Sequence, residues 1–318
     1  MLNKKLKIIF AGTPQFAVPT LQLIYAAGFD ICLVLTQPDR KSGRGMLLNS
    51  SFVKKKAVEL DIPVYQPEKL SFNSNALNKI SSFNADILIV AAYGLILPEE
   101  ILKLFPKKSY NVHASLLPRW RGAAPIHRAI ESGDKQLGVT IMEVVPDLDA
   151  GPMIRKKSID IEKLDTTGSM TIKLSEIGAR LMVEVLEDIQ NNNKIDFTVQ
   201  NESLVTYAKK ITKVEARLNI REPMAQILRK INAFNPYPII FSFFRGKKIR
   251  IWEAEESKGS EATIKSLPGE LIVEKDNLFL KVSDGVLKIN KIQPESSSVM
   301  SAKDFISGYQ VKTNNSLQ

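Results

Sequence analysis

Residues 85–94 read ADILIVAAYG. The run is apolar almost throughout, so a strand built from it must be covered on both faces, as in the middle of a parallel sheet. It is too short to cross a bilayer, and Tyr93, Gly94 and Pro98 break up the apolar residues at its end. The same texture recurs on both sides. LKIIFAG, DICLVLTQ, IPVYQP and SYNVHASLLP read as strands, while FAVPTLQLIYAAG, SFVKKKAVELD, NSNALNKISSFN and PEEILKLFP carry helical spacing. Strand and helix in alternation predict an open, doubly wound, Rossmann-like α/β domain, whose ligands bind beyond the carboxyl ends of the strands.

After these units come a helix (PIHRAIESGD), two strands (LGVTIMEVV and PMIRKKSIDI) and a long helical pattern ending near residue 190. Residues 191–208 are polar and irregular and read as a linker. Beyond a further helical pattern the texture changes to five short strands, from PIIFSFF to GVLKINKI, and a closing helix, MSAKDFISGY. Closely spaced short strands predict a small antiparallel barrel. The expected organisation is a catalytic domain over 1–190, a linker over 191–208 and a barrel over 209–318, two domains being usual for 318 residues.

The N-terminus, MLNKKLKIIFAGTP, begins basic and turns apolar, but lacks the longer apolar stretch and small-residue cleavage site of a signal peptide. Residues 6–11 are expected to form the first strand. The single cysteine, Cys32, excludes an intramolecular disulfide and is compatible with the cytoplasm. One Cys and two His, without HExxH, argue against a zinc site. The net charge is +10. From residue 209 onward 19 Lys and Arg face 12 Asp and Glu, so the last third carries most of the excess. Clustered cations attract polyanions such as nucleic acids, although solvated lysines alone give the same balance.

His113, one of two histidines, lies in NVHASLLPRWRGAAP. Residues two apart on a strand share a face, so Asn111, His113 and Ser115 point the same way. Asp149 follows the strand VTIMEVV in the turn PDLDAG, whose Gly permits an unusual backbone. An imidazole moves protons near neutral pH, a carboxylate orients it, and an amide donates to a developing oxyanion. The set suits acyl transfer to an amine. From the triplet alone the simpler reading is a satisfied histidine at a sheet edge, and spacing leaves Asp147 and Asp149 equivalent. His127 reads as structural. The FAGTP turn could offer backbone N–H groups to an anion, but lacks G-x-G-x-x-G and G-x-x-x-x-G-K-[ST]. The long polar loop QPDRKSGRGMLLNSS holds Arg40, Lys41 and a glycine-flanked Arg44, residues suited to phosphates and base edges.

FAGTPQFAVPTL, TQPDRKSGRG, AYGLILP, NVHASLLPRWRGAAPI, GVTIMEVVPDLDAGPMI, LVTYAKKI and AFNPYP together resemble the methionyl-tRNA formyltransferases, over nearly the whole chain. That folate-dependent family transfers the formyl group of 10-formyltetrahydrofolate to methionine on initiator tRNA. The resemblance implies a catalytic trio of Asn111, His113 and Asp149, the LDAG context selecting Asp149 over Asp147. It implies folate binding at Ser115, Leu116, Leu117 and Pro118, tRNA contact by Arg44 and by an OB-like tail, no metal, and a cytoplasmic monomer. Ala150 and Pro152 stand where the family commonly has Thr and Asp, which leaves the trio intact. Two other readings fit parts of the pattern. A small-molecule amine formyltransferase would share the trio, and a non-catalytic RNA-binding protein would share the charge.

Overall fold

The computed structural model describes residues 5–42, 47–70, 75–260 and 265–317. The chain forms two compact units. The first comprises Met1–Pro125, Gln136–Asp160 and Thr171–Ala208; the second comprises Ile126–Lys135, Ile161–Met170 and Lys209–Gln318.

The strands of the first unit are, in chain order, β1 (Lys7–Gly12), β2 (Asp30–Leu35), β3 (Arg40–Ser42), β4 (Leu47–Asn49), β5 (Val64–Tyr65), β6 (Ile87–Ala91), β7 (Ser109–His113), β8 (Arg121–Gly122), β9 (Gln136–Glu143), β10 (Met153–Asp160) and β11 (Tyr207–Ala208). Seven of them make one sheet in the order β10-β9-β7-β6-β1-β2-β5. β5, β2, β1, β6 and β7 are mutually parallel; β9 runs against them beside β7, and the edge strand β10 pairs antiparallel with β9. β2 and β5 lie on one side of β1 and β6 and β7 on the other. The strand order therefore reverses between β1 and β6, where doubly wound sheets open a crevice. Ile8, Ile9, Phe10 and Ala11 of β1 are fully buried, and every residue of β6 is buried. That is the covered central position their unbroken apolarity requires.

Local chemistry sets the flanking helices. Helix Phe52–Glu59 is capped by Ser51, whose hydroxyl accepts the Lys54 N–H at 3.0 Å; such a cap contributes about 1 kcal/mol. The stretch read as a long polar loop after β2 contains two short strands, β3 and β4, that pair antiparallel. Residues 191–208 run along the first unit. Thr198 and Met153 exchange two backbone hydrogen bonds of 2.8 Å, and β11 pairs parallel with β8.

The second unit holds β12 (Ile240–Phe244), β13 (Lys247–Ser257), β14 (Glu270–Glu274), β15 (Asn277–Lys281), β16 (Val286–Pro294), β17 (Met300–Ser301) and β18 (Asn315–Ser316). The ladder runs β12-β13-β16-β15-β14-β18. An antiparallel bridge between Phe244 and Leu317 brings its two ends together, giving the nearly closed barrel expected of the tail. Arg245 and Gly246, both with positive φ, make the two-residue turn from β12 to β13. Ile249, Ile251, Leu271, Leu280, Leu287 and Phe305 fill the interior. Among the described residues no helix is long and apolar enough to cross a membrane.

Candidate active site

β7 carries Asn111 and His113 to its carboxyl end, one strand from the switch point. Asn111 lies opposite Val90 of β6 and Met142 of β9, and His113 opposite Thr140. Alternation along the strand puts both on one face. Asn111 is half-buried, and its side-chain amide has no hydrogen-bond partner among the described residues. Its donors are open to a ligand.

His113 is buried, at 6% exposure, and both ring nitrogens meet protein groups. Nε2 lies 3.0 Å from the carbonyl oxygen of Trp120. A carbonyl only accepts, so Nε2 carries the hydrogen. Nδ1 faces Asp149 Oδ2 at 3.6 Å. In the neutral ring this leaves the Nδ1 lone pair towards a carboxylate, so a proton arriving there would be shared with Asp149. In this conformation both ring nitrogens are therefore occupied by protein groups.

The peptides that hold this ring are bent. Trp120 has φ 66° and Asp149 φ 48°, left-handed values that are unfavourable for residues with a Cβ. Hydrogen bonds retain both. The Trp120 N–H donates to Thr206 Oγ1 at 2.9 Å. Asp149 Oδ2 accepts the N–H of Gly122 at 2.8 Å, a residue whose own φ of 116° suits only glycine. Gln200 Nε2 donates to the carbonyls of Asp149 and Gly151, both at 2.8 Å. Gln200 Oε1 in turn accepts from Arg121 Nε at 2.9 Å, and Arg121 pairs with Glu202 at 2.7 Å. A chain of polar contacts therefore runs Glu202, Arg121, Gln200, Asp149, His113. The glycine of PDLDAG has a different task from the one its sequence suggests. The left-handed residue is Asp149, and Gly151 is needed because a Cβ there would overlap the carbonyl oxygen of Glu143.

Asp147 is exposed, and no hydrogen bond or ion pair ties its carboxylate to this chain among the described residues. Of the four residues after the strand, Ser115 is fully buried, with its hydroxyl donating to the Arg119 carbonyl at 2.7 Å. Leu117 packs with Met142 and Met153 in a small core, while its N–H meets Thr140 Oγ1 at 3.2 Å. Leu116 and Pro118 are half-exposed. After β6, Leu95 and Leu97 pack on the main core, and Ile96 is 85% exposed. This apolar stretch follows β6, the strand that pairs with β7. Arg44 lies outside the described residues. The paired strands β3 and β4 border a cavity of about 520 Å³, lined by Thr13, Gln37, Arg40, Ser51, Phe52 and Lys55. His127 belongs to the second unit; burial holds its imidazole below the usual value, against a backbone hydrogen bond at Tyr237. Among the described residues no group of three or more His, Cys, Asp and Glu could hold a metal ion.

Sequence reasoning left Trp120, Arg121 and Gly122 without individual roles and read Gln200 as linker. The first three sit in the distinctive RWRG stretch. Nothing in NNNKIDFTVQNESL marks Gln200.

The formyl transferase family profile matches residues 4–186, and the profile of the formyl transferase C-terminal domain matches residues 210–310. The chain belongs to the formyltransferase family. Its relatives within the family include the methionyl-tRNA formyltransferase of Methylobacillus flagellatus, 43% identical over 95% of this chain and 96% of that protein. Another is the methionyl-tRNA formyltransferase of Neisseria meningitidis serogroup C / serotype 2a, 43% identical over 98% and 100%. Solved structures also superpose. HypX from Aquifex aeolicus in complex with tetrahydrofolic acid gives a TM-score of 0.63 at 17% identity, over 96% of this chain and 48% of HypX. WlaRD, a sugar 3N-formyl transferase, gives 0.62 at 19% identity over 93% and 100%.

Proposed function

We propose that the protein transfers the formyl group of 10-formyltetrahydrofolate to the α-amino group of methionine on initiator tRNA. The end-to-end match at 43% identity to methionyl-tRNA formyltransferases, through both units, carries this reading. A barrel by itself does not separate the substrate classes, since the fold of a sugar formyltransferase covers 93% of the chain. The basic tail favours a polyanionic acceptor.

The residues present fit a flat ring system. The stretch Leu95–Leu97 after β6 offers apolar surface, and the open Asn111 amide on the neighbouring strand offers donors. Bound 10-formyltetrahydrofolate supplies the formyl carbon. The methionyl nitrogen forms a bond to that carbon, the bond to the folate nitrogen breaks, and one proton passes from the amine to the departing nitrogen. Asn111 donates to the formyl oxygen as negative charge grows there. His113 relays the proton, which requires Nε2 to turn from the Trp120 carbonyl it now meets. Asp149 holds the ring from the Nδ1 side. Leu116 and Pro118, with the backbone of Ser115 and Leu117, flank the folate. Arg44 and the cavity bearing Arg40, Lys55 and exposed Phe52 receive the acceptor end of the tRNA. The work is cytoplasmic, carried out by a monomer with a catalytic domain over 1–190, a linker over 191–208 and a tRNA-binding domain over 209–318.

The test is formyl transfer to initiator and elongator Met-tRNA side by side, with dTDP-amino sugars and ribonucleotide amines as alternative acceptors. Preference for initiator Met-tRNA is expected. Asn111→Ala, His113→Ala and Asp149→Ala should each lower the rate by about 100-fold or more. Near-normal rates in folded variants would remove the assignment of the trio, and preference for a sugar amine would replace the acceptor.

A further inference from the structure

β13 is amphipathic in an unusual sense. Ile249 and Ile251 face the barrel interior, so Lys248, Arg250 and Trp252 share the outer face. On the neighbouring strand Phe241 pairs with Arg250, and Phe243 with Lys248. Lys248, Arg250, Trp252 and Phe241 open onto a cavity of about 380 Å³ that Tyr237 and Lys213 also line. Its size lies within the range of small-ligand sites.

Three features are unusual for a solvated face. First, among the described residues none of Lys213, Lys248 and Arg250 forms an ion pair. The Lys248 ammonium is held below its usual value by partial burial and by Arg250 and Lys213, with Glu295 opposing. The Lys248 ammonium lies 3.6 Å from the centre of the Phe241 ring, and three converging cations without a carboxylate partner leave room for an anion. Second, the aromatic surface is presented and fixed. Tyr237 is 53% exposed, and the Trp252 indole N–H donates to Gln293 Oε1 at 3.1 Å. Gln293 is itself tied to the Ser297 carbonyl at 2.9 Å. Third, the ladder is interrupted between Ile251 and Glu253, so Trp252 sits in a bulge that re-aims its side chain.

We propose that this cavity is a subsite for one unstacked nucleotide, its phosphate among Lys213, Lys248 and Arg250 and its base against Tyr237 and Trp252. Stacking tolerates any base, and the cations recognise the backbone, so the site takes single-stranded nucleic acid or a free nucleotide and does not read sequence. The proposal rests on the reading of the protein as acting on RNA only for the source of the nucleotide.

The experiment titrates the full chain and its Tyr237→Ala, Trp252→Ala and Arg250→Gln variants with AMP, inorganic phosphate, a single-stranded RNA hexamer and a duplex of equal length. Calorimetry and fluorescence anisotropy report binding. Tyr237→Ala and Trp252→Ala should weaken AMP and the hexamer roughly tenfold each. Arg250→Gln should reduce the slope of log affinity against log salt by about one. The exposed Tyr237 keeps the test meaningful if Trp252→Ala disturbs the barrel. A hexamer bound more tightly than AMP identifies a strand as the occupant, and equal affinity identifies a free nucleotide. Phosphate matching AMP, with no effect of either aromatic substitution, would overturn the proposal in favour of an anion patch. Unchanged binding by all three variants would also overturn it. The titrations use neither folate nor tRNA, so they stand even if the wild-type chain fails to formylate Met-tRNA.

Discussion

The side-chain amide of Gln200 lies 2.8 Å from the carbonyl oxygen of Asp149 and holds that residue in a left-handed conformation next to the His113 ring. Gln200 touches no reacting atom in the proposed mechanism. It is a positioning residue, supplied by a segment that looks like connecting chain. Gln200→Glu keeps an acceptor for Arg121 but removes both donors to the turn. It should lower kcat for formyl transfer by about tenfold to 100-fold, leave KM for Met-tRNA nearly unchanged, and keep the protein folded. A proportionate rise in KM with unchanged kcat would mean that Gln200 shapes binding and not the geometry of the trio.

Nε2 of the resting His113 ring should carry a hydrogen, because its partner is the Trp120 carbonyl, which cannot donate. Nitrogen-15 NMR of labelled histidine separates the two tautomers, and the second histidine is assigned with His127→Gln. Asp149→Asn removes the carboxylate facing Nδ1 while leaving an oxygen for the Gly122 N–H. Formyl transfer should fall by about 100-fold or more with little change in thermal stability. A proton found on Nδ1 alone in the resting protein would contradict the assignment.

Gly151 allows the turn to pass against β9. Gly151→Ala must displace the Glu143 carbonyl or the turn itself, at about 3 kcal/mol, the scale of overpacking in a filled site. Urea unfolding should show that loss. Formyl transfer measured well below the melting temperature should also fall, since Asp149 is two residues away. An alanine variant as stable as the wild type would show that the close approach is not structural.

In the second unit Glu215 meets Arg128 at 2.7 Å and accepts from the N–H and hydroxyl of Thr212, each at 2.8 Å. Burial alone would raise its carboxyl, but Arg128 and Thr212 prevail and hold it at about 2, below the ordinary 4.5. A depressed folded value means that the unfolded chain takes up the proton first. This stability is therefore full above about 4.5 and is lost as pH falls towards about 2. Glu215→Gln should be less stable at pH 7 and flatter in that window, by up to one proton. Unfolding free energies at pH 7, 4 and 3 test this, and parallel pH dependences for the two proteins would refute it.

The sequence made the strands legible where composition left one solution. ADILIVAAYG could only be a covered strand, and the two-residue repeat of Asn111 and His113 could only place them together. Asp149 was not legible from spacing, because a partner 36 residues away is brought in by the β9 and β10 pairing and by a bend that any short polar turn could adopt. The role of the Trp120 carbonyl was illegible for a similar reason. Backbone groups look alike in every sequence, and only the left-handed φ aims this one. The loop after β2 was misread as irregular because RKS and LLN are too short and too polar to show a strand period.

The bulge at Trp252 divides β13 into two reading frames. Before the bulge Ile249 and Ile251 face inward, and beyond it the inward residue is Ala254, out of step with them. A deletion of one residue between them would merge the frames and drive one half of the strand onto the wrong face, burying lysine or arginine and exposing isoleucine. Insertions and deletions across a family should therefore avoid this strand and collect at turns such as Arg245–Gly246, where nothing lies within 4 Å of a Cβ placed on the glycine.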